Sequence, residues 1–572
     1  MTVDHSRNIS QDPRLVDDDA TRHLSAAAHA HDDFADELVE EFLAEPRRAV
    51  PPSPGLNPVA VLSEALATRR RRVVRDSLVV GLFLVVLVTW WWLAVPWLLA
   101  VGSGVFVHSL VRRISTRRGR KRISGAGWML ILFGAYLGSI VGSSLALLGG
   151  LAFGDSDALW SAAGLGGSDY YDYYDYYDSG ETSGGSGAPM FLIGLLASLG
   201  LLAVLLVDRV RVHLALTTRF EPSRYWNGGQ HLPPSPVGAW YTERLHHIAR
   251  AAATSNTLVH DGYDPFVGAG ERVHAWSIAV PLRAVDDAEV TLSRADVHAG
   301  VRAGVLALRG SAELSPGGRL RDLQESQEVV TSAVALLRQA GDPIGRAILP
   351  DPGAPPNSAL DPAVIAEIVQ NSPEWVRPYL CFRVEGWSKE LVVSTFLHVA
   401  CDDKMLYLEW KAYVLNPIRP EYRYEQLKLL RADYAVMRGF VDAVLVPASL
   451  GRRVLRLWRA ARDGRKPMGG GYYDLPGRYG ARRGIRELAA DDAGTTYFHD
   501  EDSVRYVKLL ERRTLAAVGR TLTEHGLKTD EFTSQSSTIT HSTVINGGTF
   551  SGVNVVGQGN QASTGGLGGE RE

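Results

Sequence analysis

At 572 residues the chain is long enough for two to four domains. Its 2 cysteines, Cys381 and Cys401, exclude a disulfide framework and fit a reduced compartment. The net charge of −3 gives no reason to expect a nucleic-acid partner, but it hides segregation: residues 1–68 carry 13 acids against 5 arginines, and Arg69–Arg72 with Arg75 then open a basic block.

Residues 1–68 read as a disordered acidic tail, with clustered Asp and a Pro51-Pro52-Ser53-Pro54 run. The first 30 residues are polar, so no cleaved signal peptide is expected. One island stands out, Asp32–Ala44, where Phe34, Leu38 and Phe42 recur every four residues and would line one face of a short helix. Such a peptide can dock into a partner's groove or pack on its own domain.

A membrane region over 69–208 follows. Ser77–Val111 has no charge besides His108, and Pro96 lies between Trp90-Trp91-Trp92 and Trp97. Trp at an interface and Arg clusters at both ends predict a tight hairpin, 77–93 and 97–111, over a single span. The next runs, 126–153 and 190–207, read as full spans. The loop between them, 154–189, carries seven acids, no Lys or Arg, and a Tyr-Tyr-Asp repeat over 169–178. Flanking basic residues place that loop outside and residues 208–572 in the cytoplasm, with the N-terminus there too: a multi-pass inner-membrane protein. Gly134, Gly138 and Gly142 share one helix face, which suits packing within the bundle or between copies. No Asp, Glu, Lys or Arg lies inside any span, which argues against ion transport.

After a linker at 209–236, residues 237–500 read as a cytoplasmic α+β domain on an antiparallel sheet. A helix over 240–253, a strand over 257–260 and an alternating strand over 272–283 open it, a helix is expected over 294–308, and 326–337 is ambiguous between strand and helix. Tyr379–Glu385, Leu391–Ala400 and Met405–Leu415 form a meander covered on one face. If Asp402-Asp403 is its second turn, His398 faces Tyr407. Tyr434–Ala461 is a helix interrupted at Pro447, whose second half carries Arg452, Arg453, Arg456, Arg459 and Arg462. It suits either the anionic membrane surface or a packed helix with a solvated arginine face. A helix at 501–530 and a Ser/Thr/Gly-rich, β-prone tail at 531–572 close the chain; the tail needs another sheet, or copies of itself, to stack on.

Catalytic, metal and phosphate-loop motifs are absent, so no catalytic residue, metal ligand or cofactor is assigned. The best small-molecule candidate is the loop Asp261–Gly270, with Tyr263, Asp264, Phe266 and Gly268; a structural loop closing the first sheet is the simpler reading.

Three stretches, Gly262–Gly270 with Trp276–Val280, Tyr479–Ala490 with the helix after it, and the tail after Phe532, resemble a group of uncharacterised actinobacterial membrane proteins. The resemblance covers roughly 237–560 and implies a shared cytoplasmic module. In membrane plan the chain also resembles the membrane protein that partners contractile injection systems in streptomycetes, which implies a cytoplasmic assembly as partner and a role in triggered cell death. The leading expectation is a non-enzymatic, homo-oligomeric membrane protein that docks a cytoplasmic partner in a stress, defence or cell-death pathway. The alternatives are a pore-forming effector using the glycine face and a membrane-tethered small-molecule sensor at the 261–270 loop.

Overall fold

The computed structural model describes residues 19–90, 187–227, 239–285, 292–428, 432–463, 476–492, 494, 496–542 and 554–555. They belong to two compact units, one of Met1–Thr68, Phe220–Leu427 and Pro467–Glu572, the other of Arg69–Arg219 and Lys428–Lys466.

The first unit opens with a correction. From Asp19 the expected disordered tail is helical: α1 (Asp19–Ala30), α2 (Asp32–Leu38) and a π-turn over Val39–Leu43. Leu24, Ala26–Ala28, Leu38, Val39 and Leu43 are fully buried. The acids Asp33, Glu37 and Glu40 face out. The helix over the Asp32–Ala44 island was expected; α1 was not, because composition averaged over the whole segment hid its apolar stripe. Helix α3 (Pro58–Thr89) gives this unit residues 58–68, and α4 (Gly187–Thr218) belongs to the second unit.

After α5 (Ala239–Thr254) come β1 (Thr257–His260), β2 (Glu271–Pro281), α6 (Arg294–Leu306) and β3 (Gln324–Ser332). Strands β4 (Val376–Gly386), β5 (Leu391–Cys401) and β6 (Met405–Leu415) are the expected meander. The sheet order is β1-β3-β4-β5-β6-β2-β7, where β7 (Asn554–Val555) is a two-residue strand from the tail. The sheet is mixed: β1 runs parallel to β3 and β7 parallel to β2, with antiparallel pairs between.

Coverage on one face only is also corrected. Strand β5 is buried along both faces, because Leu391, Val393, Leu397 and Val399 enter one core while Phe396 enters another with Tyr379, Cys381 and Tyr413. A strand buried on both faces has no polar face to reveal its sides. His398 pairs with Glu409, not Tyr407. The Asp402 carboxylate accepts from the Lys404 and Met405 amides and widens the turn, which moves the register by two. Both cysteines are free.

The chain then forms α7 (Ala432–Val444) and α8 (Val446–Asp463) of the second unit. It returns to the first with α9 (Ile485–Ala489), α10 (Tyr497–Glu524) and α11 (Asp530–Ser542). Val507, Leu510, Ala517 and Val518 of α10 join the core that also holds Val297, Val301 and Val305 of α6. Gly300 and Gly304 let the two helices meet: a Cβ at Gly304 would lie 2.5 Å from that of Ala517.

In the second unit, Leu192–Thr218 is long and apolar enough to cross a membrane, with mean hydropathy 2.1 and 28 % of its apolar window buried. Its 27 residues span about 40 Å at 1.5 Å per residue, against about 30 Å of hydrocarbon. Helix α3 is continuous through Thr89, so the expected arm 77–93 is helical as far as the chain is described. The 97–111 arm, the 126–153 span with Gly134, Gly138 and Gly142, and the outside loop lie outside the described residues. Most of the exposed large hydrophobics of the described chain belong to this unit, among them Leu78, Leu84 and Val88 of α3 and Leu192, Leu196 and Leu199 of α4. A water-soluble surface rarely gathers so much apolar area.

Candidate functional site: a strained hairpin beside an aromatic pair

The β4–β5 connection is the one place where non-glycine residues adopt left-handed backbone among the described residues. Trp387, Ser388 and Lys389 have φ of 54°, 53° and 66°. Each such residue costs about 1–2 kcal/mol, so the turn persists only because its surroundings over-determine it. Arg486, 1 % exposed, donates to Lys389 O at 2.5 Å and also to Glu390 O. Arg423 holds the Glu390 carboxylate at 2.7 Å. Trp387 Nε1 donates to Asp502 Oδ2 at 2.9 Å, and its ring meets His499 edge-on at 4.4 Å. Arg505 donates to the other Asp502 oxygen at 2.8 Å.

This corner leaves aromatic surface in solvent. Trp387 is 40 % exposed, and Tyr497 and Phe498 on the first turn of α10 are 71 % and 65 % exposed. Asp492, Asp500 and Glu501 beside them in sequence are exposed. Burial depresses the His499 pKa, with Arg423 adding to the effect. The ring is therefore neutral at neutral pH and sits edge-on against Trp387. The corner thus sets exposed aromatic faces beside exposed carboxylates. Nothing in the sequence reading pointed to it. Its signal was a Trp where small turn residues are the rule, and two consecutive aromatics at a helix start.

The other candidates fall elsewhere. Phe34, Leu38 and Phe42 are 2 %, 0 % and 4 % exposed, and Phe34 stacks on Tyr422 at 4.6 Å. Of the two readings left open for this peptide, docking into a partner's groove or packing on its own domain, its buried face corresponds to the second. In the 261–270 loop Phe266 is buried against Phe396 at 4.1 Å, and Asp264 accepts from the Tyr413 hydroxyl at 3.0 Å. Gly268 and Gly270 both have positive φ, and a Cβ at Gly268 would lie 2.3 Å from Pro52 O. Their amides donate to Glu487 Oε1 at 2.7 and 2.9 Å, and Gly484 N donates to Oε2 at 2.6 Å. The nest that could hold an anion is thus filled by the chain's own carboxylate, whose pKa burial pushes up against those three donors. Of the four candidate ligand residues Tyr263 and Asp264 are exposed, and Phe266 and Gly268 are buried.

The arginine series on α8 divides. Arg453 is buried and paired with Asp76, and Arg456 reaches the same carboxylate at 3.5 Å. Arg452 and Arg459 are exposed, and the Arg462 side chain lies outside the described residues. A helical period of 3.6 puts 452, 456 and 459 on one side and turns 453 about 100° away. Among the described residues no cluster of metal-ligating side chains occurs.

Residues 275–554 match the family model of the AbeC-like domain. The matched stretch begins within β2, ends at β7, and contains the strained hairpin and the α10 aromatics. It lies inside the 237–560 range expected for a shared module and leaves out the 261–270 loop. No curated protein and no solved structure matches the chain.

Proposed function

We propose that the protein is a membrane-anchored docking protein. Its AbeC-like domain recruits a cytoplasmic partner through the corner formed by Trp387, Tyr497 and Phe498. The observation that carries this reading is the exposed aromatic trio held beside a strained, arginine-locked turn. Aromatic side chains on rigid supports are the usual energetic centres of protein interfaces. The neighbouring acids select a basic segment that also carries an apolar side chain. A large cytoplasmic assembly, such as a contractile injection system acting in a stress, defence or cell-death pathway, is the partner class this reading retains, with homo-oligomers multiplying the sites.

The test is co-purification from membranes of the full chain carrying Tyr497→Ser and Phe498→Ser. Recovery of bound partner should fall at least tenfold with the melting temperature unchanged. Equal recovery would remove the corner from the proposal.

A further inference from the structure

Helices α7 and α8 meet at an 85° bend around Leu445, and together, but not separately, they pass as a membrane span by length and composition. Chain topology excludes a single crossing. The chain enters α7 from Phe220–Leu427 and leaves α8 into Pro467–Glu572, and both segments belong to the same folded unit. A folded module stays on one side of a bilayer, so the number of crossings between these points is even. Two crossings are excluded as well. The 13 residues of α7 reach about 20 Å and the 18 of α8 about 27 Å, short of the roughly 30 Å needed. Helix α8 also carries Arg452, Arg453, Arg456, Arg459 and Arg462, which a bilayer-crossing helix does not tolerate.

The surfaces point the same way. Helix α7 exposes Tyr434, Met437 and Phe440 at three-residue spacing, and α8 exposes Val454, Leu455 and Trp458. The inner side of the elbow is fixed to the membrane helices of its own unit. Val446 packs with Val79 and Phe83 of α3 and with Leu201 and Leu205 of α4. Arg453 pairs with Asp76, and Arg209 donates to Asp442 at 2.7 Å. The outer side combines an apolar face, an interfacial Trp and exposed Arg452 and Arg459, a composition that matches an anionic leaflet.

We propose that α7 and α8 form a re-entrant elbow. It enters the leaflet facing the module, seats Met437, Phe440 and Leu455 among acyl chains, and places Arg452 and Arg459 on anionic phospholipid headgroups. The inference rests on the membrane anchorage of the proposed function and is independent of the docking corner.

The test uses the full chain with Cys401→Ser, reconstituted into phosphatidylcholine vesicles with or without phosphatidylglycerol. Spin labels are placed through Met437→Cys, Leu455→Cys and, as the aqueous reference, Tyr263→Cys. Labels at 437 and 455 should be at least tenfold less accessible to a water-soluble nickel complex than the label at 263, and more accessible to oxygen. Equal nickel access at all three positions overturns the elbow. So does labelling of Tyr434→Cys and Arg459→Cys by an impermeant maleimide from opposite faces. With Arg452→Gln and Arg459→Gln, nickel access at 455 should rise about threefold in vesicles containing phosphatidylglycerol and stay unchanged in phosphatidylcholine alone; the same response in both removes the headgroup contact. A chain that stays soluble without detergent would refute the anchor, whereas a membrane-bound chain with aqueous labels refutes only the elbow.

Discussion

Both units bury arginines, and they satisfy them differently. In the first unit the partners are mostly backbone carbonyls, although Arg48 also pairs with the Glu41 carboxylate at 2.9 Å. Arg244 donates to Phe42 O, Pro46 O and Arg48 O at 3.2, 3.1 and 2.7 Å. Burial lowers its pKa to about 10, so it stays charged at neutral pH. Arg486 uses Lys389 O, Glu390 O and, at 3.5 Å, Asn416 O. In the helical unit the partners are carboxylates. Asp76 takes Arg75, Arg453 and Arg456, and Asp208 takes Arg71 at 3.1 Å and Arg75 at 2.9 Å. The reason is where free acceptors exist. Loops and turns leave carbonyls unused, whereas inside a helix each carbonyl is already bonded one turn on. A helical bundle must therefore carry its acceptors on side chains.

That difference sets the order of expected effects. Asp76→Ala strips the countercharge from buried Arg453 and should destabilise the helical unit by about 3–5 kcal/mol, because an unpaired buried charge remains. Chemical denaturation in detergent, followed by helical circular dichroism, measures it; a loss below 1 kcal/mol would mean that the arginines find other acceptors. An acid response of about 3 kcal/mol should arise in the module instead. Burial, reinforced by Arg302, His398 and Arg294, pulls His298 down to about 4. Its folded pKa lies below the unfolded one, so its contribution is complete above about pH 6.5 and is lost as pH falls toward 4. Urea unfolding at pH 7 and pH 4.5 should show this loss, and His298→Gln should reduce it. An undiminished acid loss in that variant would assign it to another group. Arg486→Lys comes next, at about 2 kcal/mol, since an ammonium keeps the charge but cannot fork between carbonyls. Differential scanning calorimetry reads it, and a neutral result would make charge, not geometry, the lock.

The sequence was most readable where structure is local. The meander showed because Leu391, Val393, Leu397 and Val399 alternate with other residues, and that period belongs to a strand whatever lies beyond it. The spacing of Phe34, Leu38 and Phe42 likewise announced a helix, but not what covers it, since Tyr422 lies far away in sequence. The parallel edge strands escaped for the same reason: β1 meets β3 across more than 60 residues, and no pattern within four residues encodes a partner. The two stretches Gly262–Gly270 and Tyr479–Ala490 each looked distinctive alone. Only the structure joins them, through the Glu487 carboxylate on two glycine amides. The candidate site was the least legible: the Trp in the turn was an unusual residue choice, but residue types do not report φ, and nothing in the sequence announces three consecutive left-handed residues.

The smallest effect is also the sharpest test of whether that turn is held for a purpose. Ser388 is exposed and has φ of 53°. Glycine removes the clash between Cβ and the carbonyl, worth about 1–2 kcal/mol, and gives back about 0.5–1 kcal/mol through a more flexible unfolded chain. Ser388→Gly should therefore raise stability by up to about 1.5 kcal/mol, read as a higher melting temperature of the full chain. A turn that only closes β4 onto β5 would accept this change without further consequence. A turn that presents Trp387 to a partner should lose rigidity, and partner recovery should fall several-fold while stability rises. Stability and recovery moving in opposite directions would tie the strain to docking. Recovery that stays constant while stability rises would reduce the hairpin to a scaffold and leave Tyr497 and Phe498 to carry the interface.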